Sequence, residues 1–190
     1  MFNKAIFLDR DNTLIEDPGY VYKVKDLKWK KGAKSGLTIL SKMGYTLIVI
    51  TNQSGVARGY FTENDVNKFH KQMNEDLYQS NGIKIDKFYF SPFHPDGSLD
   101  KYSKQSNCRK PGNALFKLAI QDFNISSSHS IAIGDKYTDL EPALNCGVEC
   151  VYLLEDKKEF ISNSISKVRN FKNWYELIAN IKSTDRVFHS

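Results

Sequence analysis

The sequence predicts an α/β fold: a Rossmann-like three-layer α/β/α arrangement around a mostly parallel sheet. Three observations lead there. Short apolar runs rich in Ile, Val, Phe and Tyr recur along the chain, each stopped by polar residues. Between them lie segments whose apolar residues return at helical spacing. Strand, helix and strand in succession join by right-handed crossovers, which make the strands parallel and put helices on both faces.

The first run, residues 5–8, reads as a buried strand that ends at Asp9. Residues 33–43 form a helix with Leu37, Leu40 and Met43 on one face, and residues 47–50 form the next strand. Thr62 with Asp65 marks a helix start, and Val66, Phe69, Met73 and Leu77 stay in phase to about Ser80. A strand at 88–90 leads into residues 91–112, a long loop of weak periodicity that contains Pro92, His94, Pro95 and Gly97 and ends in Cys108-Arg109-Lys110-Pro111. Loops of that length are usually functional. A helix at 113–123, a strand at 131–133, a short helix at 141–145 with Gly147 as its stop, a strand at 151–154 and a helix at 174–181 complete the chain.

The 190 residues suit one domain spanning 1–190, without a large cap domain. Hydrophobic residues at 41% and aromatics at 13% exclude a disordered chain. No run approaches the roughly 18 apolar residues of a membrane span. Residues 1–8 are too short for a secretory signal. The cysteines, Cys108, Cys146 and Cys150, are too sparse for a disulfide scaffold and fit a reducing cytoplasm; Cys146 and Cys150 read as core thiols. A net charge of +5 favours anionic partners. The lysines are scattered, with one denser stretch at 23–34, and no nucleic-acid motif accompanies them, so they read as a solvated face. His70 and His129 read as surface or capping residues, and Tyr20 and Tyr22 as closing over a ligand or simply packing.

A parallel sheet places its ligand site at the carboxyl ends of its strands. There the sequence puts Asp9-Arg10-Asp11-Asn12-Thr13, Thr51-Asn52-Gln53-Ser54-Gly55 and Gly134-Asp135-Lys136. Two carboxylates one residue apart at the end of a buried strand repel and desolvate poorly; a hard divalent cation such as Mg²⁺ relieves both costs. Asp135 adds a third carboxylate, with Asp139 one helical turn on, Lys110 supplies a fixed positive charge and Thr51 a hydroxyl. Together they would hold a phosphate beside Mg²⁺, with one aspartate free to attack phosphorus.

This pattern resembles the haloacid dehalogenase superfamily of aspartate-nucleophile phosphatases, whose four motifs match in order: Asp9-x-Asp11-x-Thr13, Thr51, Lys110 and Gly134-Asp135-x-x-x-Asp139. Phe7-Leu8-Asp9-Arg10-Asp11, Asp17-Pro18-Gly19-Tyr20-Val21, the stretch from Thr51 to Gly59 and Cys108-Arg109-Lys110-Pro111 are similar to the D-glycero-D-manno-heptose 1,7-bisphosphate 7-phosphatases. Histidinol-phosphatases share much of the pattern. The similarity runs from residue 5 to about 153. Asn12 stands where the family has glycine; asparagine tolerates left-handed backbone, so the turn should survive.

The resemblance implies a cytoplasmic, Mg²⁺-dependent phosphatase that removes the 7-phosphate of the heptose bisphosphate through an aspartyl-phosphate. In it Asp9 would be the nucleophile and Asp11 the acid and base, starting protonated. Thr51 and Lys110 would hold the phosphoryl group. Mg²⁺ would sit on the Asp9 and Asp135 side chains and the Asp11 carbonyl, with Asp139 behind them. Asp17, Pro18, Gly19, Tyr20, Asn52, Gln53, Ser54, Arg109 and Lys136 would contact substrate, Arg109 taking the non-reacting phosphate with its guanidinium fork. The partner would be a small sugar bisphosphate, with no nucleic acid and no membrane, and the protein a monomer.

The family's long loop usually holds zinc through a Cys-x-His pair and a Cys-x-Cys pair. Here those places read Ser91-Pro92-Phe93 and Ser106-Asn107-Cys108, so no structural zinc is expected. Phe93, Leu99 and Tyr102 would pack the loop instead, and Ser91, Ser106 and Asn107 would hydrogen-bond it. Competing readings are another sugar-phosphate phosphatase, a nucleic-acid 3′-phosphatase, and a phosphoacceptor receiver domain. The last is poor, because Arg10 separates the acidic pair and the third strand runs into Ser91-Pro92.

Overall fold

The computed structural model describes residues 2–154 and 168–188. Its strands are β1 (Ala5–Leu8), β2 (Thr46–Asn52), β3 (Lys87–Ser91), β4 (Ile131–Gly134), β5 (Cys150–Leu154) and β6 (Val168–Phe171). They form one sheet in the order β3-β2-β1-β4-β5-β6, and each neighbouring pair is parallel. The helices are α1 (Ala33–Lys42), α2 (Glu63–Asn81), α3 (Ala114–Asp122), α4 (Tyr137–Leu144) and α5 (Trp174–Phe188).

Side-chain alternation along the strands builds the three layers. Ile6, Leu8, Leu47 and Val49 pack on one face with Leu37 and Leu40 of α1, Phe69 and Met73 of α2, and Trp174 and Leu177 of α5. Ala5, Phe7, Ile48 and Ile50 pack on the other with Leu115, Phe116 and Ala119 of α3 and Leu140 and Ala143 of α4. The strand order reverses between β1 and β4, which opens a crevice beyond their carboxyl ends.

Local signals explain most boundaries. α2 starts on a capping box: Thr62 Oγ1 accepts from the Asp65 amide at 3.2 Å, and the Thr62 amide donates to Asp65 Oδ2 at 2.9 Å. Asn12 is left-handed at φ +60°, as expected of its turn. α4 begins at Tyr137, earlier than residue 141, because Asp139 caps it: the Lys136 amide donates to Asp139 Oδ2 at 3.1 Å. α5 runs on to Phe188, beyond the expected 181, and β6 is an element the pattern did not predict. Among the described residues no helix is long and apolar enough to cross a membrane.

The structure departs from the sequence expectation at His70 and Leu99. His70 is no surface residue: it is 4% exposed, stacked on Phe88 at 4.4 Å, and accepts from Arg10 Nη1 at 3.3 Å. Leu99 is 43% exposed, so it does not pack the inside of the long loop. That loop is held otherwise. The amides of Ser98 and Leu99 donate to the Ala57 carbonyl at 2.8 and 3.0 Å, and the Tyr102 hydroxyl donates to Glu63. Phe93 and Tyr102 meet with ring centroids 6.1 Å apart. Ser91 and Ser106 accept from the amides of Phe93 and Cys108 at 3.4 and 3.2 Å, and Asn107 Oδ1 from the Asn113 amide at 3.2 Å.

His129 is exposed and bonded to Ser126, Tyr22 stacks on Phe61, and Cys146 is half-buried against the α3–α4 core. The Cys150 side chain lies outside those described.

Candidate active site

β1 delivers Asp9 and Asp11 to the crevice, β2 delivers Thr51, Asn52 and Gln53, and β4 delivers Gly134 and Asp135. The long loop returns over them with Arg109 and Lys110. These segments enclose a cavity of about 510 Å³ lined by Asp9, Arg10, Asp11, Asp17, Gly19, Tyr20, Asn52, Gln53, Ser54, Gly55, Arg109, Lys110, Pro111, Asp135, Lys136, Thr138 and Asp139. Two expected residues do not line it. Pro18 faces an adjoining depression with Glu16, Lys23 and Lys28. Thr51 is buried, its hydroxyl taken up by neighbours: it accepts from Gln53 Nε2 at 2.9 Å and donates to Asp11 Oδ2 at 3.4 Å.

Lys110 is the hub. Its ammonium donates to Asp9 Oδ1 at 2.6 Å, to Asp139 Oδ1 at 2.8 Å and to the Ile50 carbonyl at 2.7 Å. Burial alone would lower its pKa, but Asp139 and Asp9 outweigh that and hold it above the usual lysine range, so the charge is permanent. Asn52 fixes the backbone beneath it: Asn52 Nδ2 donates to the Lys110 carbonyl at 3.1 Å, and the Lys110 amide donates to Asn52 Oδ1 at 3.0 Å. Asn52 was expected on substrate; both ends of its amide are spent on placing Lys110.

The carboxylate oxygens of Asp9, Asp135 and Asp139 can all lie within 4.8 Å of one another. Burial raises the Asp9 pKa well above its ordinary value; Lys110 opposes this, and Asp139, Asp11 and Asp135 reinforce it. Burial, with Asp139 beside it, pushes Asp135 up to about 7. Three carboxylates, one buried and two half-buried, with one lysine among them lack positive charge, and their hard donors fit a divalent cation. Gly134 allows the approach: a Cβ there would come within 2.6 Å of the Asp139 Cβ. Asp139, expected to stand behind the metal ligands, lies close to them with its Oδ1 paired to Lys110 at 2.8 Å.

The Asp11 carboxylate turns toward other partners. Its Oδ1 accepts from Arg10 Nε at 2.8 Å and lies 2.7 Å from Arg10 Nη2, and its Oδ2 accepts from Gln53 Nε2 at 2.8 Å. Arg10, read from sequence only as a spacer, is 1% exposed. Gln53, expected on substrate, is buried at 3% exposure with its amide committed to this network. The sequence did carry one signal: position 70 falls four residues after Val66 on the buried stripe of α2, which places His70 inward and so implies a buried polar partner.

At the mouth, Asp17 Oδ1 accepts from the amides of Gly19 and Val21 at 2.9 and 3.0 Å and so shapes the turn that presents Tyr20. Tyr20 is left-handed at φ +59° and meets Tyr60 edge-on at 4.9 Å. Arg109 is half-buried and donates weakly to the Phe93 carbonyl at 3.4 Å; burial and nearby Arg58 lower its pKa from the ordinary arginine value. Beneath the first turn, Trp174 Nε1 donates to the Thr13 carbonyl at 2.9 Å.

Comparison with known proteins adds the following. A family model described as HAD-hydrolase-like matches residues 107–160. A D-glycero-beta-D-manno-heptose-1,7-bisphosphate 7-phosphatase of Haemophilus ducreyi is 38% identical over 167 residues, which cover 88% of this chain and 91% of that protein. A D-glycero-alpha-D-manno-heptose-1,7-bisphosphate 7-phosphatase of Burkholderia mallei is 33% identical over 157 residues, 83% and 82% of the two chains. Among solved structures, a D,D-heptose 1,7-bisphosphate phosphatase of B. bronchiseptica, complexed with magnesium and phosphate, matches with a TM-score of 0.82 at 24% identity, over 95% of this chain and 99% of that one.

Proposed function

The chain belongs to the haloacid dehalogenase-like hydrolases, in the family of the heptose-1,7-bisphosphate phosphatases, and from that premise we propose that it removes the 7-phosphate of D-glycero-D-manno-heptose 1,7-bisphosphate. It is a phosphoric monoester hydrolase. One observation carries the reading of the site: Asp9 is paired with a buried Lys110 at the switch point of the sheet, with Asp11 two residues on, in a cavity that also holds Arg109 and Lys136. The cavity thus supplies a carboxylate nucleophile, a fixed cation and further cations for a second phosphate.

In this mechanism an Asp9 oxygen attacks phosphorus in line. The new phosphorus–oxygen bond forms as the bond to the sugar oxygen breaks, and Asp11 gives its proton to that leaving oxygen. Asp11 then takes a proton from a water that attacks the aspartyl-phosphate, which releases phosphate and restores Asp9. Lys110 keeps its charge throughout and offsets the charge on the phosphoryl oxygens. Mg²⁺ held by Asp9, Asp135 and the Asp11 carbonyl, with Asp139 beside them, would supply further positive charge there. Arg109 and Lys136 meet the phosphate that does not react, and Asp17, Gly19 and Tyr20 form the wall against the sugar.

Phosphate release from both anomers of heptose 1,7-bisphosphate, histidinol phosphate, fructose bisphosphate and a 3′-phosphorylated oligonucleotide tests the substrate. The heptose bisphosphate is expected to give the highest kcat/KM; a higher value for any other would replace the assignment. We also propose a cytoplasmic monomer without structural zinc, because Ser91, Phe93 and Ser106 stand at three of the four ligand positions and the long loop is held by the contacts to Ala57 and Glu63. Metal analysis of untagged protein should find zinc far below one equivalent. Near-stoichiometric zinc that resists mild chelation would overturn the last point.

A further inference from the structure

The Arg10 guanidinium sits at 1% exposure, over the Phe69 ring at 5.0 Å, and its donors go in four directions. Nε donates to Asp11 Oδ1 at 2.8 Å, and Nη2 lies 2.7 Å from the same oxygen. Nη2 also donates to the Val21 carbonyl at 3.1 Å and to Gln53 Oε1 at 3.0 Å, and Nη1 donates to His70 Nε2 at 3.3 Å.

The contact to Gln53 has a consequence for Asp11. With Oε1 taken by Arg10, the amide presents Nε2 to Asp11 Oδ2 at 2.8 Å and to the Thr51 hydroxyl at 2.9 Å. The two oxygens of Asp11 are then unequal. Oδ1 faces two nitrogens of a charged, buried group, whereas Oδ2 takes one neutral amide and a long 3.4 Å contact from Thr51. A proton on Oδ1 would displace a charge-assisted bond; a proton on Oδ2 competes only with neutral donors, the Gln53 amide and the long Thr51 contact.

We propose that Arg10 is a positioning residue: its buried fork pins Oδ1 of Asp11 and orients the Gln53 amide, so that Oδ2 is the oxygen that carries the proton to the leaving group. His70, as a neutral acceptor stacked on Phe88, holds the far side of the fork in plane. The inference rests on the reading of Asp11 as acid and base, and it assigns Arg10 no contact with substrate.

The test compares 4-nitrophenyl phosphate with phenyl phosphate, two substrates of nearly one shape whose leaving groups differ in their need for a proton. kcat/KM reports the steps up to leaving-group departure. Arg10→Gln is expected to lower kcat/KM for phenyl phosphate about 100-fold, the low end of a general acid's contribution, and for 4-nitrophenyl phosphate less than about fivefold. Arg10→Lys keeps a buried charge but not the fork, so it serves where Arg10→Gln does not fold; it should show the same selectivity with about a tenfold loss on phenyl phosphate. Equal losses on both substrates would overturn the proposal and make Arg10 a scaffold residue. Asp11→Asn, run in parallel, separates the two readings. If it too lacks leaving-group selectivity, the acid assignment of Asp11 fails; if it alone is selective, only the role of Arg10 fails.

Discussion

At the scale of single residues the site divides into groups that meet the phosphoryl oxygens and groups that hold them in place. Asp9 touches Lys110 and leads the first strand exit, so Asp9→Asn should abolish turnover with little effect on folding. Phosphate release at a rate near wild type, with contaminating enzyme excluded, would remove Asp9 from the nucleophile role. Among the described residues Arg109 donates one long bond to protein, which leaves most of its fork for a ligand. Arg109→Ala should lower kcat/KM for a bisphosphate by about 1.5–3 kcal/mol, the range for a charge-assisted hydrogen bond, and for a monophosphate by clearly less. An equal loss on both would move Arg109 to the reacting phosphate or the scaffold. Asp9 and Asp135 are legible in the sequence because strand exits in a parallel sheet converge, and Lys110, on the long loop, through its place in the order of motifs. Arg10 and Gln53 are not, because burial of an arginine depends on partners distant in the chain: Gln53, His70 and the Val21 carbonyl.

Among the elements, α1 and α5 are coupled through a glycine. Gly36 is buried inside α1, and a Cβ there would fall 2.5 Å from Trp174 Cε3 and 3.0 Å from Cζ3. The indole is held by its bond to the Thr13 carbonyl at 2.9 Å and cannot tilt away without losing it. Helix propensity favours Gly36→Ala by about 1 kcal/mol. Overpacking a rigid ring costs about 1–3 kcal/mol, and a strained or broken buried hydrogen bond adds to that. The packing cost should win: urea unfolding is expected to show a net loss of about 1–2 kcal/mol. A neutral or stabilising result would mean that α5 is not seated on α1 in this way. Element boundaries are legible in the sequence where a local device sets them, as with Thr62 and Asp65 at the start of α2. α4 began early because its cap is Asp139, a residue already claimed by the chemistry of the site. β6 escaped because its residues 168–171 run half-buried, exposed, exposed, half-buried, which has neither the period of a strand nor an apolar run. It exists by pairing with β5, a long-range cause.

For the whole molecule, the three-layer architecture follows from alternation alone, and the sheet order then fixes where the acids gather. That gathering ties stability to pH and to the cation. Without the cation, burial and Asp139 push Asp135 up to about 7 against an ordinary 3.8, so between those values the folded protein binds a proton that the unfolded chain does not. Its contribution is complete below 3.8 and is lost as pH rises through 7; Asp9, also raised, acts in the same direction. His70 works with the opposite sign. Burial and then Arg10 hold it well below 6.5, so the unfolded chain takes up a proton that the folded protein refuses, and stability falls as pH drops below 6.5. Measured alone, the pH dependence of Tm would mix the two. The difference in Tm with and without saturating Mg²⁺ separates them, because the His70 contribution is common to both samples. Mg²⁺ replaces the proton on the carboxylate group, so its stabilisation should grow with pH. From pH 6 to pH 8 one released proton corresponds to about 1.4 kcal/mol, or about 3–5 °C in Tm for a domain of this size. A Mg²⁺-induced rise in Tm that is equal at pH 6 and pH 8 would show that Asp9 and Asp135 do not hold the cation.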